Sequence, residues 1–410
     1  MRKKRYLRGN ALTFFKFSPY QNLQTTSPYG KIRMLLEKRA WQINTEGKKL
    51  MQIGQIILKG VNNFEDFDYP FEDDWTKTVP NALLLMGPNG AGKTTILRTI
   101  ADLWDIFGAI LEGSILQSTI RLKSYTFFNC PFAAIKINDF LPELNEPVWV
   151  FMGNRNEVNR FINEQRHGHK IGGVWSASAQ NNFTEWQLVF KDILGTESSD
   201  EIQSWIEGLR ERFIDNRLGG RSDLPNMVIL ESENRTLPRI EETFSVIPEK
   251  DTFNWLARYS TSERREGSIF NYLFTLKAVD ESSYNTIVSE ANQFLVDKEI
   301  TGFDPKSKEL MVKTKSGKSH PAYLLSSGEK QILLMIAFIT RELRPGGIVL
   351  IDEPDLHLHV SLSNAFVNYL RQMVTRQKGQ LIIASHAPEL WERFTKTQRV
   401  ELGILAEVIE

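Results

Sequence analysis

The sequence predicts an α/β fold in which a mixed central sheet is flanked by helices. Three apolar runs, residues 82–86, 348–351 and 381–384, have the length and composition of buried strands, and each is followed by a polar loop. Helical patterns of apolar residues follow the first two loops. Strands that alternate with helices in this way are typical of α/β proteins.

The first run leads into a glycine-rich loop with the spacing G-x-x-x-x-G-K-[ST], which opens a helix from Lys93 to about Leu111. Consecutive backbone N–H groups of such a loop surround a β-phosphate, because glycine has no side chain to block the approach. The lysine reaches the β/γ oxygens, and the first threonine hydroxyl binds Mg²⁺. The sequence therefore predicts an ATP site formed by Gly87, Pro88, Asn89, Gly90, Ala91, Gly92, Lys93, Thr94 and Thr95.

The second run, Gly347 to Pro354, places two acids at the end of a strand and has the Walker B pattern. We expect Asp352 to hold Mg²⁺ together with Thr94, and Glu353 to orient and deprotonate the attacking water. Alone, this run would suit a buried strand ending in an acidic turn equally well. The phosphate loop upstream favours the catalytic interpretation, with Lys93 and Glu353 as catalytic residues.

Upstream of that strand, Leu325-Ser-Ser-Gly-Glu-Lys-Gln331 resembles the ABC signature L-S-G-G-Q. Ser326 matches the signature serine and Gly328 its second glycine, while Ser327 and Glu329 depart from the transporter form. Alone, the run would be an ordinary helix cap; its place before the Walker B strand favours the signature. The resemblance implies that Ser326 and Gly328 bind the γ-phosphate held by the opposite subunit, so that two chains sandwich two ATP molecules.

The third run ends at His386, where the ABC family has its switch histidine, so the resemblance implies a catalytic contact with the γ-phosphate. The alternative is an ordinary loop histidine. Residues 355–359 resemble the D-loop of the overcoming-lysogenization-defect (OLD) and RecF-like ATPases, which favour D-E-P-x-x-x-L-H. A metal site at His357 and His359 is a competing interpretation, although no cysteine or acidic cluster with zinc spacing accompanies them.

The composition is that of a soluble globular protein with a large core: 410 residues, 41% hydrophobic and 24% charged. No apolar segment is long enough to span a bilayer, so we expect a cytoplasmic protein without membrane insertion. The single cysteine, Cys130, excludes an internal disulfide and fits a reducing compartment. We expect it to be a small buried hydrophobic residue.

Residues 1–50 carry twelve Lys or Arg against two Glu, whereas the rest of the chain is net acidic. This basic N-terminal extension is either an arm for nucleic acid or a segment upstream of a natural start at Met51. We expect residues 51–410 to form the ATPase domain.

Within that domain, residues 55–71 predict a small antiparallel β lobe, followed by strands near 118–128, 133–137 and 147–152. Helical spacing from about 155 to 225, a segment that contains Trp175, Trp186 and Trp205, predicts a helical insertion that acts as an arm or lid. A strand at 226–231 returns to the core, and residues 251–300 supply more helix. Residues 310–314 and 319–323 form a predicted hairpin.

Two features of this region leave alternatives open. Arg235 and Arg239 resemble the arginine-bearing loop of OLD-like ATPases, or else belong to a solvated surface. The Q-loop of ABC ATPases is not identified, since Gln117, the nearest glutamine, lacks a preceding aromatic strand.

Over roughly residues 51–405 the chain resembles the stand-alone OLD/RecF-like AAA family ATPases of prokaryotic antiviral defence and DNA maintenance. The resemblance implies a P-loop NTPase fold of ABC type, Mg²⁺-dependent ATP hydrolysis and a homodimer or higher oligomer with ATP at its interface. It also implies a separately encoded effector, since the 24 residues after His386 are too few for the TOPRIM domain of OLD nucleases.

Two other functions fit part of the pattern. A RecF-like DNA-clamping ATPase would bind nucleic acid across the dimer. An ABC transporter subunit would need a membrane partner, and the wide spacing between Lys93 and Ser326 opposes it.

Overall fold

The computed structural model describes residues 51–112, 125–141, 146–165, 167–177, 184–191, 207–211, 224–235, 253–260 and 268–403. The basic extension 1–50, Gln117, Trp205 and Arg239 lie outside these residues.

Fifteen strands are formed in the described part of the chain. They are β1 Gln52–Val61, β2 Phe64–Pro70, β3 Ala82–Met86, β4 Phe132–Asn138, β5 Val148–Asn154, β6 His169–Ala177, β7 Thr184–Lys191, β8 Met227–Leu230, β9 Leu256–Arg258, β10 Lys298–Phe303, β11 Leu310–Thr314, β12 Ser319–Pro321, β13 Ile348–Asp352, β14 Gln380–Ser385 and β15 Arg399–Glu401. The α-helices are α1 Lys93–Glu112, α2 Arg155–Glu164, α3 Ile269–Val279, α4 Glu281–Asn292, α5 Ser327–Glu342, α6 Val360–Arg376 and α7 Pro388–Trp391, and residues 207–211 are also helical.

The central sheet has the strand order β15-β3-β14-β13-β8-β9, and every neighbouring pair is parallel. Residues 82–86, 227–230, 348–351 and 381–384 of its middle strands are all apolar, as expected for strands covered on both faces. Leu350 points into the core cluster that contains α1, and Ile351 points into the opposite cluster, which contains α5 and α6. Since all strands run in one direction, the loops after β3, β8, β13 and β14 lie at the same edge of the sheet.

A second sheet, ordered β2-β1-β4-β5-β6-β7, packs on the α1 side of the central sheet. It is antiparallel except for β5 and β6, which pair in parallel. The prediction of a small antiparallel lobe was therefore right in kind but too small, since this sheet has six strands.

The helical insertion predicted over 155–225 was wrong for residues 169–177 and 184–191. Among the described residues of this range, α2 and residues 207–211 are helical, whereas β6 and β7 are strands paired from Lys170 with Lys191 to Ala177 with Thr184. The apolar residues of 186–190 fit a period of two as well as a helical one, and cross-strand pairing decides between them. The strand predicted near 118–128 is also not formed over Tyr125–Phe128, where Phe128 N donates to Tyr125 O in a turn.

The remaining elements largely agree with the prediction. β10, β11 and β12 form a three-stranded antiparallel sheet that includes the expected hairpin. Helices α3 and α4 occupy much of the region predicted to be helical, although β9 also falls within it. Among the described helices, none is both long and apolar enough to cross a membrane.

Candidate functional site

The phosphate loop connects β3 to α1, and its glycines have conformations that other residues rarely adopt. Gly90 and Gly92 have φ of 83° and 94°. A Cβ on Gly92 would lie 2.4 Å from the ring of Phe64, so the close packing of the β1–β2 turn requires glycine there. A Cβ on Gly90 would meet no atom within 4 Å, which leaves the open side of the loop free for a ligand.

Lys93 is a buried cation at the start of α1. Its Nζ donates hydrogen bonds of 2.8 Å to the carbonyl oxygens of Gly87 and Pro88. Burial lowers the pKa of Lys93, while the charges of Glu353, Asp352 and Asp355 act in the opposite direction. The loop therefore holds a positive charge close to the acids that follow β13.

Asp352, the last residue of β13, has two carboxylate oxygens in different situations. Oδ2 accepts hydrogen bonds from Thr94 Oγ1 at 3.0 Å and from Ser232 Oγ at 2.8 Å. Oδ1 is buried and, among the described residues, has no hydrogen-bond partner. An uncompensated buried carboxylate oxygen is costly, and a hard cation such as Mg²⁺ prefers oxygen ligands. The residues present therefore fit a Mg²⁺ ion beside Thr94 and Asp352.

Ser232 was not singled out from the sequence. It lies in the loop after β8, the strand next to β13, and the only available signal was its place directly after the predicted strand 226–231. The preceding residue, Glu231, is buried, and its Oε1 accepts hydrogen bonds from Arg98 Nε at 2.8 Å and Arg258 Nη1 at 2.6 Å. The Ser232 loop is thereby tied to α1 and β9.

Glu353 and His386 meet where β13 and β14 end. Nδ1 of His386 lies 3.0 Å from Oε1 of Glu353. Glu353 has φ of 48°, a left-handed conformation, and its N–H donates to the carbonyl oxygen of Ala384 at 2.8 Å. Two side chains predicted to be catalytic are therefore in direct contact.

Arg235 is buried beneath this pair, so the solvated-surface interpretation is wrong for it. Its Nη2 donates a 2.6 Å hydrogen bond to the backbone carbonyl oxygen of Glu353, and its Nη1 lies 3.8 Å from Sδ of Met335 in α5. Burial lowers the pKa of Arg235 to about 10, although three nearby carboxylates oppose this effect. The guanidinium remains charged at neutral pH.

The signature-like stretch begins α5, and its serine is a real helix cap. Ser326 Oγ accepts from Glu329 N at 3.3 Å, and Ser326 N donates to Glu329 Oε2 at 2.8 Å. Both Ser326 and Ser327 are nevertheless exposed. A Cβ on Gly328 would lie 2.7 Å from the carbonyl oxygen of His357, so glycine allows α5 to approach the D-loop-like turn.

The histidines of that turn do not support a metal site. His359 caps α6, accepting from Ser361 N at 3.4 Å, and His357 is exposed. Among the described residues, no group of three or more His, Cys, Asp or Glu side chains could hold a metal ion.

Comparison with known proteins shows similarity to an AAA domain and to proteins named as probable ATPases. Residues 228–392, from β8 to the end of α7, match the family model "AAA domain, putative AbiEii toxin, Type IV TA system". The chain is 25% identical over 400 residues to the "Retron Ec83 probable ATPase" of Escherichia coli, covering 83% of this chain and 70% of that protein. It is 26% identical over 376 residues to the "Retron Vc95 probable ATPase" of Vibrio cholerae serotype O1 biovar El Tor, covering 79% and 69%.

A third relative is "Septu protein PtuA" of Bacillus thuringiensis, which is 23% identical over 343 residues, with 78% of this chain and 70% of that protein covered. Among solved structures, an Smc head domain derived from Pyrococcus furiosus aligns over 84% of this chain and 92% of its own, at 11% identity. Its TM-score of 0.39 is too low to add to the fold described above. The phosphate loop, the acids after β13 and the similarity to known ATPases show that the chain is an ATPase, in which residues 228–392 match an AAA domain.

Proposed function

We propose that the chain is a Mg²⁺-dependent ATPase that dimerises around ATP and controls a separately encoded effector in a prokaryotic defence system. The main observation in support of Mg²⁺-dependent chemistry is the environment of the two oxygens of the Asp352 carboxylate. Thr94 and Ser232 hold one of its oxygens, and the other is buried, without a partner among the described residues.

In this proposal the backbone N–H groups of 87–95 bind the β-phosphate and Lys93 binds the β/γ oxygens. Thr94 and Asp352 hold Mg²⁺, which would neutralise phosphate charge when bound. Lys93 is already close to the acidic groups after β13, so the charges needed around a triphosphate are gathered before it binds.

Glu353 acts as the base for hydrolysis. The oxygen of a water molecule attacks the γ-phosphorus, the bond to the β-phosphate oxygen breaks, and the proton of the water moves to the Glu353 carboxylate. ADP and inorganic phosphate are the products. The 3.0 Å contact with His386 Nδ1 orients this carboxylate. The other ring nitrogen of His386, Nε2, would contact the γ-phosphate.

The second half of each site would come from another copy of the chain. Ser326 and Ser327 are exposed at the N-terminus of α5, where backbone N–H groups and the helix dipole favour a phosphate. Leu324 and Val360, near the starts of α5 and α6, are large apolar side chains that remain 59% and 45% exposed. A second copy would cover both the helix terminus and these apolar groups.

The effector proposal rests on the relatives and on the chemistry of the chain. Two relatives are named as retron ATPases and one as a Septu protein, and the resemblance to OLD/RecF-like ATPases points to antiphage defence. In this proposal the acids of the site, Asp352 and Glu353, are both used in ATP chemistry. We therefore expect the biological output to need a second protein.

The test is to assay the purified chain for phosphate release from ATP, and for cleavage of DNA and RNA, with and without Mg²⁺. Phosphate release that is lost in Asp352→Asn and Glu353→Gln, without nucleic-acid cleavage, is the expected result. Glu389→Gln, at an exposed acid on α7, is the matched control and should keep full activity. Absence of ATP hydrolysis would overturn the enzymatic proposal. Nuclease activity that survives both site substitutions would overturn the effector proposal.

A further inference from the structure

Arg235 is a cation enclosed in the protein rather than a surface residue. It is 2% exposed, and its Nε is buried without a hydrogen-bond partner among the described residues. Removing a guanidinium from water costs free energy unless the protein uses the charge or its hydrogen bonds. The position therefore calls for an explanation beyond packing.

The contacts of Arg235 lead to the proposed base. Its Nη2 donates a 2.6 Å hydrogen bond to the carbonyl oxygen of Glu353, across the loops that follow two neighbouring strands, β8 and β13. Among the described residues, the other polar contact of its side-chain nitrogens is from Nη1 to Met335 Sδ, at 3.8 Å. A single strong hydrogen bond therefore connects the arginine to one peptide group.

That peptide group is held in an unusual conformation. Glu353 has φ of 48°, in the left-handed region that is unfavourable for a non-glycine residue. Two hydrogen bonds fix it: Glu353 N donates to Ala384 O, and Arg235 donates to Glu353 O. With both ends of the residue fixed, its side chain reaches His386.

We infer that Arg235 is a positioning residue for ATP hydrolysis, which holds the Glu353 backbone in the conformation that directs the Glu353 carboxylate to His386. The inference rests on the proposed role of Glu353 as base. The buried charge has a second effect, since it compensates the carboxylates of Asp352, Asp355 and Glu353 that lie around it. Met335 belongs to α5, so the same guanidinium also lies between the helix that starts at the signature-like serine and the proposed base.

The test compares Arg235→Met and Arg235→Lys with wild type in ATP affinity, kcat and thermal stability. Arg235→Met removes the positive charge and the hydrogen-bond donors of the guanidinium but keeps a long, unbranched side chain. We expect its kcat to fall about tenfold to a hundredfold, with the Kd for ATP changed less than about threefold, because the phosphate loop is untouched. Arg235→Lys keeps the charge without the planar fork, so its kcat should lie between those of Arg235→Met and wild type.

Arg371 provides the matched control. Its Nη1 also donates to a backbone carbonyl oxygen, that of Arg393 at 2.9 Å, and its guanidinium lies 4.8 Å from the centroid of the Phe394 ring. Arg371→Met should lower thermal stability while leaving kcat unchanged. This comparison separates loss of a partly buried arginine from loss of the contact with Glu353.

A double-substitution cycle with Glu353→Gln gives the readout that a purely structural role would not produce. If Arg235 acts through the Glu353 side chain, Arg235→Met should not lower the residual single-turnover rate of Glu353→Gln further. An equal loss in both backgrounds, or a kcat of Arg235→Met equal to wild type, would overturn the inference. If Arg235→Met does not fold, Arg235→Lys decides: a wild-type kcat overturns the inference, and a reduced kcat with unchanged Kd supports it.

Failure of the proposed function gives a different pattern. In that case wild type does not hydrolyse ATP, or Glu353→Gln hydrolyses it at the wild-type rate, whatever the Arg235 variants do.

Discussion

Ser232 and Asp352 are joined by a 2.8 Å hydrogen bond between the serine hydroxyl and the carboxylate, although 120 residues separate them in the chain. Because Thr94 Oγ1 donates to the same oxygen, two hydroxyls hold the carboxylate, while its other oxygen has no hydrogen-bond partner in the part of the chain that the structure describes. The loop after β8 and the phosphate loop therefore each contribute one hydroxyl to the candidate site. Glu231 anchors that loop through Arg98 and Arg258.

We expect Ser232→Ala to raise the Mg²⁺ concentration needed for half-maximal ATP hydrolysis by about tenfold to a hundredfold, since a hydrogen bond to a charged carboxylate contributes about 1.5–3 kcal/mol. A Mg²⁺ titration of the hydrolysis rate at saturating ATP measures this midpoint concentration. Ser307→Ala, in the turn between β10 and β11, is the control and should leave the midpoint unchanged. An unchanged midpoint for Ser232→Ala would show that Thr94 alone orients the carboxylate.

Glu353→Gln should bind ATP and accumulate as a dimer. The substitution removes the carboxylate that accepts the proton, while the phosphate loop and the exposed start of α5 stay intact. Light scattering with ATP and Mg²⁺, compared with the same protein without nucleotide, measures the change in mass. A variant that stays monomeric at high concentration, with ATP shown to be bound, would contradict the sandwich arrangement.

Ser326→Arg and Lys93→Ala should complement each other when mixed. If the signature serine of one copy serves the ATP of the other, a mixed dimer contains one site with both Lys93 and Ser326 intact. Mixing two inactive variants should then restore part of the hydrolysis rate. Each variant with wild-type chain gives the reference for subunit exchange; exchange without any recovery would mean that Ser326 does not act in trans.

The central sheet could be predicted because the local sequence of each of its strands is enough to identify it as a strand. Runs such as 82–86 and 348–351 are buried on both faces, so composition alone reveals them, and the fixed spacing of residues 87–94 reveals the loop. The contact between Glu353 and His386 follows from the parallel pairing of β13 with β14. Parallel neighbouring strands end at the same edge of the sheet, so the loops that follow β13 and β14 meet there.

The second sheet and the role of the loop after β8 could not be predicted, because both depend on contacts between segments that are distant in the sequence. Residues 184–191 form a strand through pairing with 170–177, a partner that periodicity in a single segment does not reveal. Arg235 has the composition of a surface residue, and only the position of β8 beside β13 brings it under Glu353. Ser232 likewise gains its role from that strand order rather than from any local motif.

Removing residues 1–50 should leave the ATPase rate within about twofold of the full chain, because the predicted site residues and the described strands all follow Met51. Met51 is itself buried and β1 starts at Gln52, so the cut must keep Met51. Phosphate release and DNA binding at two salt concentrations are measured on both proteins. Loss of salt-sensitive DNA binding with activity retained would identify residues 1–50 as a nucleic-acid arm; an insoluble product would contradict the prediction.

Cys130 gives a prediction for alkaline pH. Burial raises the pKa of its thiol to about 12 from an ordinary value of 9.0, although backbone hydrogen bonds at Phe132 and Cys130 oppose the shift. The unfolded chain therefore loses this proton near pH 9 while the folded chain keeps it, so the free energy of unfolding falls as pH rises from 9 towards 12. Between pH 8 and 10 this one group should remove about 1 kcal/mol of stability.

Other groups also titrate in this range, so the measurement compares wild type with Cys130→Ala by urea unfolding at pH 8 and pH 10. The alanine variant lacks the thiol and should lose less stability over the interval, by that same amount. Alkylation provides an independent check, since the folded protein should react far more slowly than the urea-unfolded chain at pH 9. An equal loss of stability in both proteins, together with rapid alkylation of the folded chain, would mean that the thiol ionises freely in the native state.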